Sequence, residues 1–178
     1  MNNDEVSTVN KNNVCSRRER AEMKVAVASD HGGFEQKQEI VAYLKEAGHE
    51  VLDLGPADDG SVDYPDFALL VAQAVAQGAA EKGVLVCGTG LGMAITANKV
   101  AGIRAANVTS VEFATLAREH NDANVVTLSG RFVDPATNKE IVLAFLTTAF
   151  AQGRHERRVA KIHEAEAWRL PKGDYPQA

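Results

Sequence analysis

Cysteine is almost absent, with only Cys15 and Cys87 in 178 residues. One lies in a polar leader and the other ends an apolar run, which argues against a disulfide framework. Aromatic residues are scarce, and the formal charge of −5 argues against nucleic acid or an anionic membrane as the main partner. No stretch approaches the roughly 18 apolar residues of a membrane span. The N-terminus carries basic residues but no apolar core, so neither signal peptide nor anchor is expected. What remains is a cytoplasmic protein with one core, since the length suits one well-buried domain and not two. A small anionic ligand is still allowed, because clustered arginines make a local site even on an acidic surface.

What the chain does have is alternation. Residues 1–22, rich in Asn and charge, read as a disordered leader, with Met23 as an alternative start. KVAVAS (24–29) reads as a strand, and FEQKQEIVAYLKEAG (34–48) as a helix with Ile40, Val41 and Leu44 on one face. HEVLDLG (49–55) is a strand, a helix follows at about 66–78, GVLVC (83–87) is a strand, and a short helix runs from Ala94 to Lys99. Strand IRAANV, helix SVEFATLAREHN, strand NVVTLSG and helix PATNKEIVLAFLTTAFAQ complete the series. Five strands alternating with helices predict a three-layer α/β/α Rossmann-like sandwich on a five-stranded parallel sheet. The charged run GRHERRVAKIHEAEAWRL predicts a C-terminal helical arm that breaks at Pro171. His49 and His163 read as surface residues.

In such folds ligands sit beyond the carboxyl ends of the strands, at a switch in strand order. That rule selects Ser29 to Gly33, Asp63-Tyr64-Pro65, Cys87 to Gly92, and Gly130-Arg131. Together they offer an acid, an imidazole, a phenol, a thiol, backbone amides and a guanidinium. The GTGLG stretch is a weak nucleotide fingerprint, because position 93 is Met where GxGxxG needs Gly. Its physical content survives: glycines let backbone approach an anion, and helix-start amides stabilise negative charge. The same amides favour a thiolate, so Cys87 can act as base or nucleophile; the alternative is a buried structural cysteine, which the flanking glycines and Thr89 disfavour by leaving the sulfur reachable. Phosphoenzyme chemistry is disfavoured, since an arginine is missing where a low-molecular-weight phosphatase needs one. A Cys-His hydrolase using His31 or His120 stays open, while proton abstraction beside a carbonyl suits a loop that stabilises an enediolate. Arg154 and Arg158 share a helix face and form either a phosphate clamp or a solvated stripe. Asp30 and Arg131 either pair with each other, cap helices, or bind ligand.

The segments SDHGGFEQK, DYPDFA, VLVCGTGLGMAITANKVAGIRAA, AREHNDANVVTLSGR and GRHERRV closely resemble the ribose-5-phosphate isomerase B family, within a wider group of galactose- and allose-6-phosphate isomerases. The resemblance spans about residues 23–162, leaving 1–22 as leader and 163–178 as a variable tail. It implies cofactor-free, metal-free aldose–ketose isomerisation of ribose 5-phosphate and ribulose 5-phosphate through a cis-enediolate. On that basis Cys87 is the base and His120 assists ring opening. Thr89 and the amides of Gly88, Gly90, Leu91 and Gly92 hold the enediolate oxygens. Asp30, His31 and Asn121 contact hydroxyls, Tyr64 lines the pocket, and Arg131, Arg154 and Arg158 bind phosphate. Members that lack the cysteine use a glutamate of the glycine loop; this chain is of the cysteine type. The intact His120-Asn121 pair favours a ribose-type sugar over galactose 6-phosphate, with allose 6-phosphate and erythrulose 4-phosphate as alternatives. The resemblance also implies a homodimer or tetramer whose pockets are completed by a neighbour. A non-catalytic module that binds phosphosugars is the competing class.

Overall fold

The computed structural model describes residues 22–167. The expected leader, apart from Glu22, and the break at Pro171 lie outside the described residues. Strands β1 (Lys24–Ser29), β2 (Glu50–Asp53), β3 (Lys82–Cys87), β4 (Ala105–Asn107) and β5 (Val125–Ser129) alternate with helices α1 (Phe34–Glu46), α2 (Tyr64–Ala76), α3 (Leu91–Ala97), α4 (Val111–Asn121) and α5 (Pro135–Thr147). A 3₁₀ turn, Gly153–His155, then leads into α6 (Glu156–Glu166).

The strands pair in parallel in the order β2-β1-β3-β5-β4. Their two-residue period sorts side chains onto two faces. Val25, Val27, Val84 and Val86 pack under α1, α4 and α5 with Ile40, Leu44, Ile141 and Phe145. Ala26, Ala28, Leu85 and Cys87 face α2 and α3, against Ala68, Val71, Ala72 and Met93. Both faces are covered, which is why these strands read as near-continuous apolar runs. Each fully buried Ile, Leu or Phe contributes about 1.5–3 kcal/mol of hydrophobic stabilisation.

The chain leaves β1 toward β2 and leaves β3 in the opposite direction toward β4, so the switch in strand order falls between β1 and β3. Register brings their ends level: Ser29 pairs with Val86, and Cys87 with Ser129. The three-layer architecture and the arm are as the alternation predicted.

Several element ends differ from expectation, each for a local reason. Helix α2 starts at Tyr64, because Pro65 is accommodated in a first helical turn, where no amide is needed. Helix α3 starts at Leu91 rather than Ala94, with Gly90 at φ 80° as its N-cap. Helix α5 stops at Thr147, and the carbonyl of Thr148 instead accepts from Arg118 Nε at 3.2 Å. Helix α6 runs on through Glu166, across the expected boundary at 162/163. His49 is not a surface residue: it is buried, and its Nδ1 accepts the Met23 amide at 3.3 Å, fastening the entry to β1.

Candidate active site

Cys87 ends β3, is 5% exposed, and carries a free thiol. Its Sγ accepts the Gly90 amide at 3.0 Å. That contact needs the left-handed backbone at Gly90, which only glycine adopts without strain. The Leu91 amide donates to Thr89 Oγ1 at 3.3 Å. The amides of Gly88, Thr89 and Gly92 take no hydrogen-bond partner among the described residues, so three backbone donors of this loop remain open. Supports hold this loop from β5 and β4. Ser129 Oγ donates to the Gly88 carbonyl at 2.9 Å, the Gly130 amide to the Cys87 carbonyl at 2.8 Å, and Asn107 Nδ2 to Thr127 Oγ1 at 3.0 Å and the Thr89 carbonyl at 3.3 Å.

Around the loop stand the other residues of the carboxyl edge. Asp30 Oδ1 accepts the Gly33 amide at 3.0 Å, which shapes the turn after β1. His31 Nδ1 accepts the Val62 amide at 3.4 Å, so its proton resides on Nε2, available to a ligand. The Tyr64 ring lies against Gly92, where a Cβ would stand 2.7 Å from Cε2. The Arg131 side chain lies over Gly32 and Gly88: a Cβ at either would stand 3.4 Å from its nearest guanidinium-side atoms. Among the described residues no carboxylate pairs with Arg131, so the expected alternative of an Asp30–Arg131 ion pair is not what forms. A cleft of about 190 Å³ opens beside the turn, lined by His31, Phe34, Asp59 and Gly130. Asp30, His31, Tyr64, Cys87, Thr89 and Arg131 therefore share one edge of the sheet.

His120, Asn121, Arg154 and Arg158 do not. Helix α4 runs back along the sheet and ends just before Val125, which pairs with Gly83 at the amino end of β3. Four residues of extended strand separate Gly83 from Cys87, about 13 Å at the usual rise. His120 is thus at the opposite edge from the thiol of its own chain. There the last turn of α4 is firmly built. Arg104 Nη2 and Arg118 Nη1 each pair with Asp122 at 2.8 Å, and Arg104 Nε donates to the carbonyls of Asn121 and Asp122 at 3.0 and 2.9 Å. A second cavity of about 300 Å³ lies alongside, lined by Ile103, Arg104, Asn121 and Ile162.

Sequence reasoning missed His155. It is 7% exposed, and its ring stacks on His120 with centroids 4.3 Å apart and planes 6° from parallel. Burial, then the positive charges of His120, Arg154 and Arg158, hold its pKa below the usual histidine value. In the sequence it sits inside a charged run, and nothing there distinguishes it from its exposed neighbours. Ser129 and Asn107 were missed too, although the SGR signature marked the segment. Among the described residues no group of three or more His, Cys, Asp or Glu side chains could hold a metal ion, and no helix is long and apolar enough to cross a membrane.

This geometry has known counterparts. The sequence pattern of the ribose/galactose isomerase family matches residues 25–162. Ribose-5-phosphate isomerase B of Escherichia coli (strain K12) is 46% identical over 143 residues, covering 80% of this chain and 96% of that one. The solved structure of ribose-5-phosphate isomerase B from Clostridium thermocellum superposes with a TM-score of 0.80 at 50% identity, over 81% of this chain and 97% of that one. The enzyme from Mycoplasma genitalium, solved with bound ribulose-5-phosphate, gives 0.78 at 47% identity, over 80% and 95%. With its thiol loop, its carboxyl-edge residues and this likeness along most of its length, the chain belongs to the ribose/galactose isomerase family.

Proposed function

We propose that the protein interconverts ribose 5-phosphate and ribulose 5-phosphate through a cis-enediolate, with Cys87 as the base. The observation that carries this reading is a buried thiol at a strand end, contacted by the Gly90 amide, on a loop whose other amides are unpartnered and over which Arg131 lies. The Cys87 thiolate takes the proton from C2 of the open-chain aldose and returns it to C1 on the same face. Negative charge that develops on the carbonyl oxygen meets the Thr89 hydroxyl and the amides of Gly88, Thr89 and Gly92. No external oxidant, reductant or leaving group is needed: C2 is oxidised as C1 is reduced within one molecule, while a second proton passes from O2 to O1. Asp30 and the Nε2–H of His31 are placed to bind hydroxyls, and Tyr64 walls the pocket. The likeness to ribose-5-phosphate isomerase B chains, and the ribulose-5-phosphate held by one of them, support the five-carbon sugar.

His120 and Asn121 serve ring opening and hydroxyl binding in the pocket of a second copy, where Arg154 and Arg158 join Arg131 on the phosphate. The strand length between Cys87 and His120 supports that arrangement, as one chain cannot bring both to one substrate. The active unit is a homodimer, alone or paired into a tetramer, in the cytoplasm.

The test measures ketose formation from ribose 5-phosphate by EDTA-treated protein, with allose 6-phosphate and erythrulose 4-phosphate alongside. Turnover of ribose 5-phosphate far above the others is expected. Turnover of only another sugar would retain the chemistry and replace the substrate; silence on all three points first to a sugar phosphate outside the panel and then to a binding module. Co-expressing Cys87→Ala with His120→Ala separates the two arrangements. Shared pockets restore about a quarter of wild-type activity by random pairing, whereas a pocket within one chain restores none.

A further inference from the structure

His155 is buried yet takes no part in the reaction as described above. Its surroundings are built rather than incidental. The Ala151 amide donates to the Glu119 carbonyl at 3.1 Å, and Arg118 Nε to the Thr148 carbonyl at 3.2 Å, so the segment leading to His155 is docked on the last turn of α4. The His155 amide then closes the 3₁₀ turn on the Gln152 carbonyl at 3.1 Å. Its ring presents a flat face to His120 and an edge to Arg154, whose Nε donates to His155 Nε2 at 3.3 Å.

That hydrogen bond fixes a tautomer. An arginine Nε can only donate, so Nε2 of His155 holds a lone pair and the proton is on Nδ1. The ring is neutral, in keeping with its burial and with His120 from α4, Arg154 from the 3₁₀ turn and Arg158 from α6, while Glu119 of α4 acts the other way. With Nε committed to His155, the terminal nitrogens of Arg154 remain to hold a planar pair of phosphate oxygens.

We propose that His155 is a positioning residue joining the two halves of the partner-side site. Its ring face sets the plane of the His120 imidazole, and its Nε2 sets the fork of Arg154. This rests on the reading that His120 and Arg154 act on a sugar phosphate. Phosphate capture and ring opening are thereby coupled through one imidazole. Neither needs His155 to touch substrate. Stacking removes the rotational freedom that an imidazole at a helix end would otherwise have, and misplacement of a reacting group by about 1 Å can cost up to roughly 100-fold in rate.

The two contacts can be broken separately. His155→Phe keeps a flat ring for His120 and removes the acceptor for Arg154. His155→Gln keeps an acceptor and removes the ring. With ribose 5-phosphate, KM is expected to rise about fivefold in His155→Phe with kcat held within about twofold. In His155→Gln kcat falls about tenfold with KM nearly unchanged. A purely structural role predicts parallel losses in both variants that track the folded fraction, and such losses, or two variants indistinguishable from wild type, overturn the inference. Affinity for inorganic phosphate, measured by calorimetry, gives a readout without turnover: it weakens in His155→Phe and holds in His155→Gln, and the reverse order refutes the Arg154 contact. His120→Ala runs alongside. If it is crippled while both His155 variants are normal, only this inference falls; if it retains full turnover of ribose 5-phosphate, the functional role of His120 falls and takes the inference with it.

Discussion

Replacing Gly90 with alanine tests whether the thiol loop needs its backbone shape or merely its small size. At φ 80° an alanine side chain costs about 1–2 kcal/mol relative to glycine. Its Cβ would also run into Asn107 Nδ2 and stand 3.1 Å from the Leu128 carbonyl. Asn107 must then swing away and lose its bonds to Thr89 and Thr127, at about 1 kcal/mol each for the better ones. Together the loss is about 2–4 kcal/mol, which for a domain of this size lowers Tm by roughly 6–12 °C. The amide that contacts Cys87 Sγ shifts with the backbone, so kcat should fall at least about tenfold even where the protein is folded. Differential scanning calorimetry and the ribose 5-phosphate assay at 25 °C read the two effects. Adding Asn107→Gly should recover the collision but not the backbone strain, leaving the double variant more stable than the sum of the singles predicts. A Gly90→Ala protein that melts within 2 °C of wild type and turns over normally would refute the reasoning.

Three more outcomes follow from the same structure. Cys87→Ala should lower kcat by about 10²–10⁴-fold, the range for a lost general base, while Tm moves by only a few degrees; ketose formation and calorimetry decide it. Lys37, 1% exposed, donates to both Asp53 carboxylate oxygens at 3.0 Å and to the Pro56 carbonyl at 3.1 Å. Lys37→Met should cost about 2–3 kcal/mol in urea titration, below the full cost of breaking a buried pair because Asp53 reaches solvent. The depressed pKa of folded His155 gives a pH signature: between that value and about 6.5 the unfolded chain binds more protons. Stability therefore rises with pH through that window and is lost as pH falls. In His155→Phe this part of the dependence should vanish from a Tm series between about pH 5 and 7.5, and an unchanged slope would count against a buried neutral ring.

The strands and the thiol loop were legible because their physics is local. KVAVAS and GVLVC are near-continuous apolar runs, which suits a sheet covered on both faces, and Gly88, Gly90 and Gly92 mark a loop where backbone must approach something closely. Placement of His120 was legible in part: a helix that leads into a strand must end at that strand's amino edge. What stayed hidden depends on distant partners. Lys37 meets Asp53 and Pro56 sixteen and nineteen residues away, and lysine is ordinarily exposed, so its burial has no signal in one sequence. His155 owes its burial to α4, thirty-five residues back, and His49 to an amide at Met23. No feature of the sequence marks Arg104 and Arg118 as partners of Asp122, whose left-handed C-cap at φ 45° draws both onto one helix end.

Helix α6 is fastened to its own chain by little: His155 and Val159 are buried at its start, Gly102 donates to Glu166 at 2.8 Å, and Arg104 meets His163 at 2.6 Å. Its remaining side chains face water in the isolated chain. Such a helix opens far more readily than the central strands, so its amide hydrogens should exchange with deuterium by local opening long before those of β3 do. On the proposed shared pocket, dilution that parts two copies would speed this uptake, and a sugar phosphate held there by Arg154 and Arg158 would slow it. If the proposed pocket forms, the arm would convert assembly and occupancy into a rate that a mass spectrometer can read peptide by peptide, without any chemistry being catalysed.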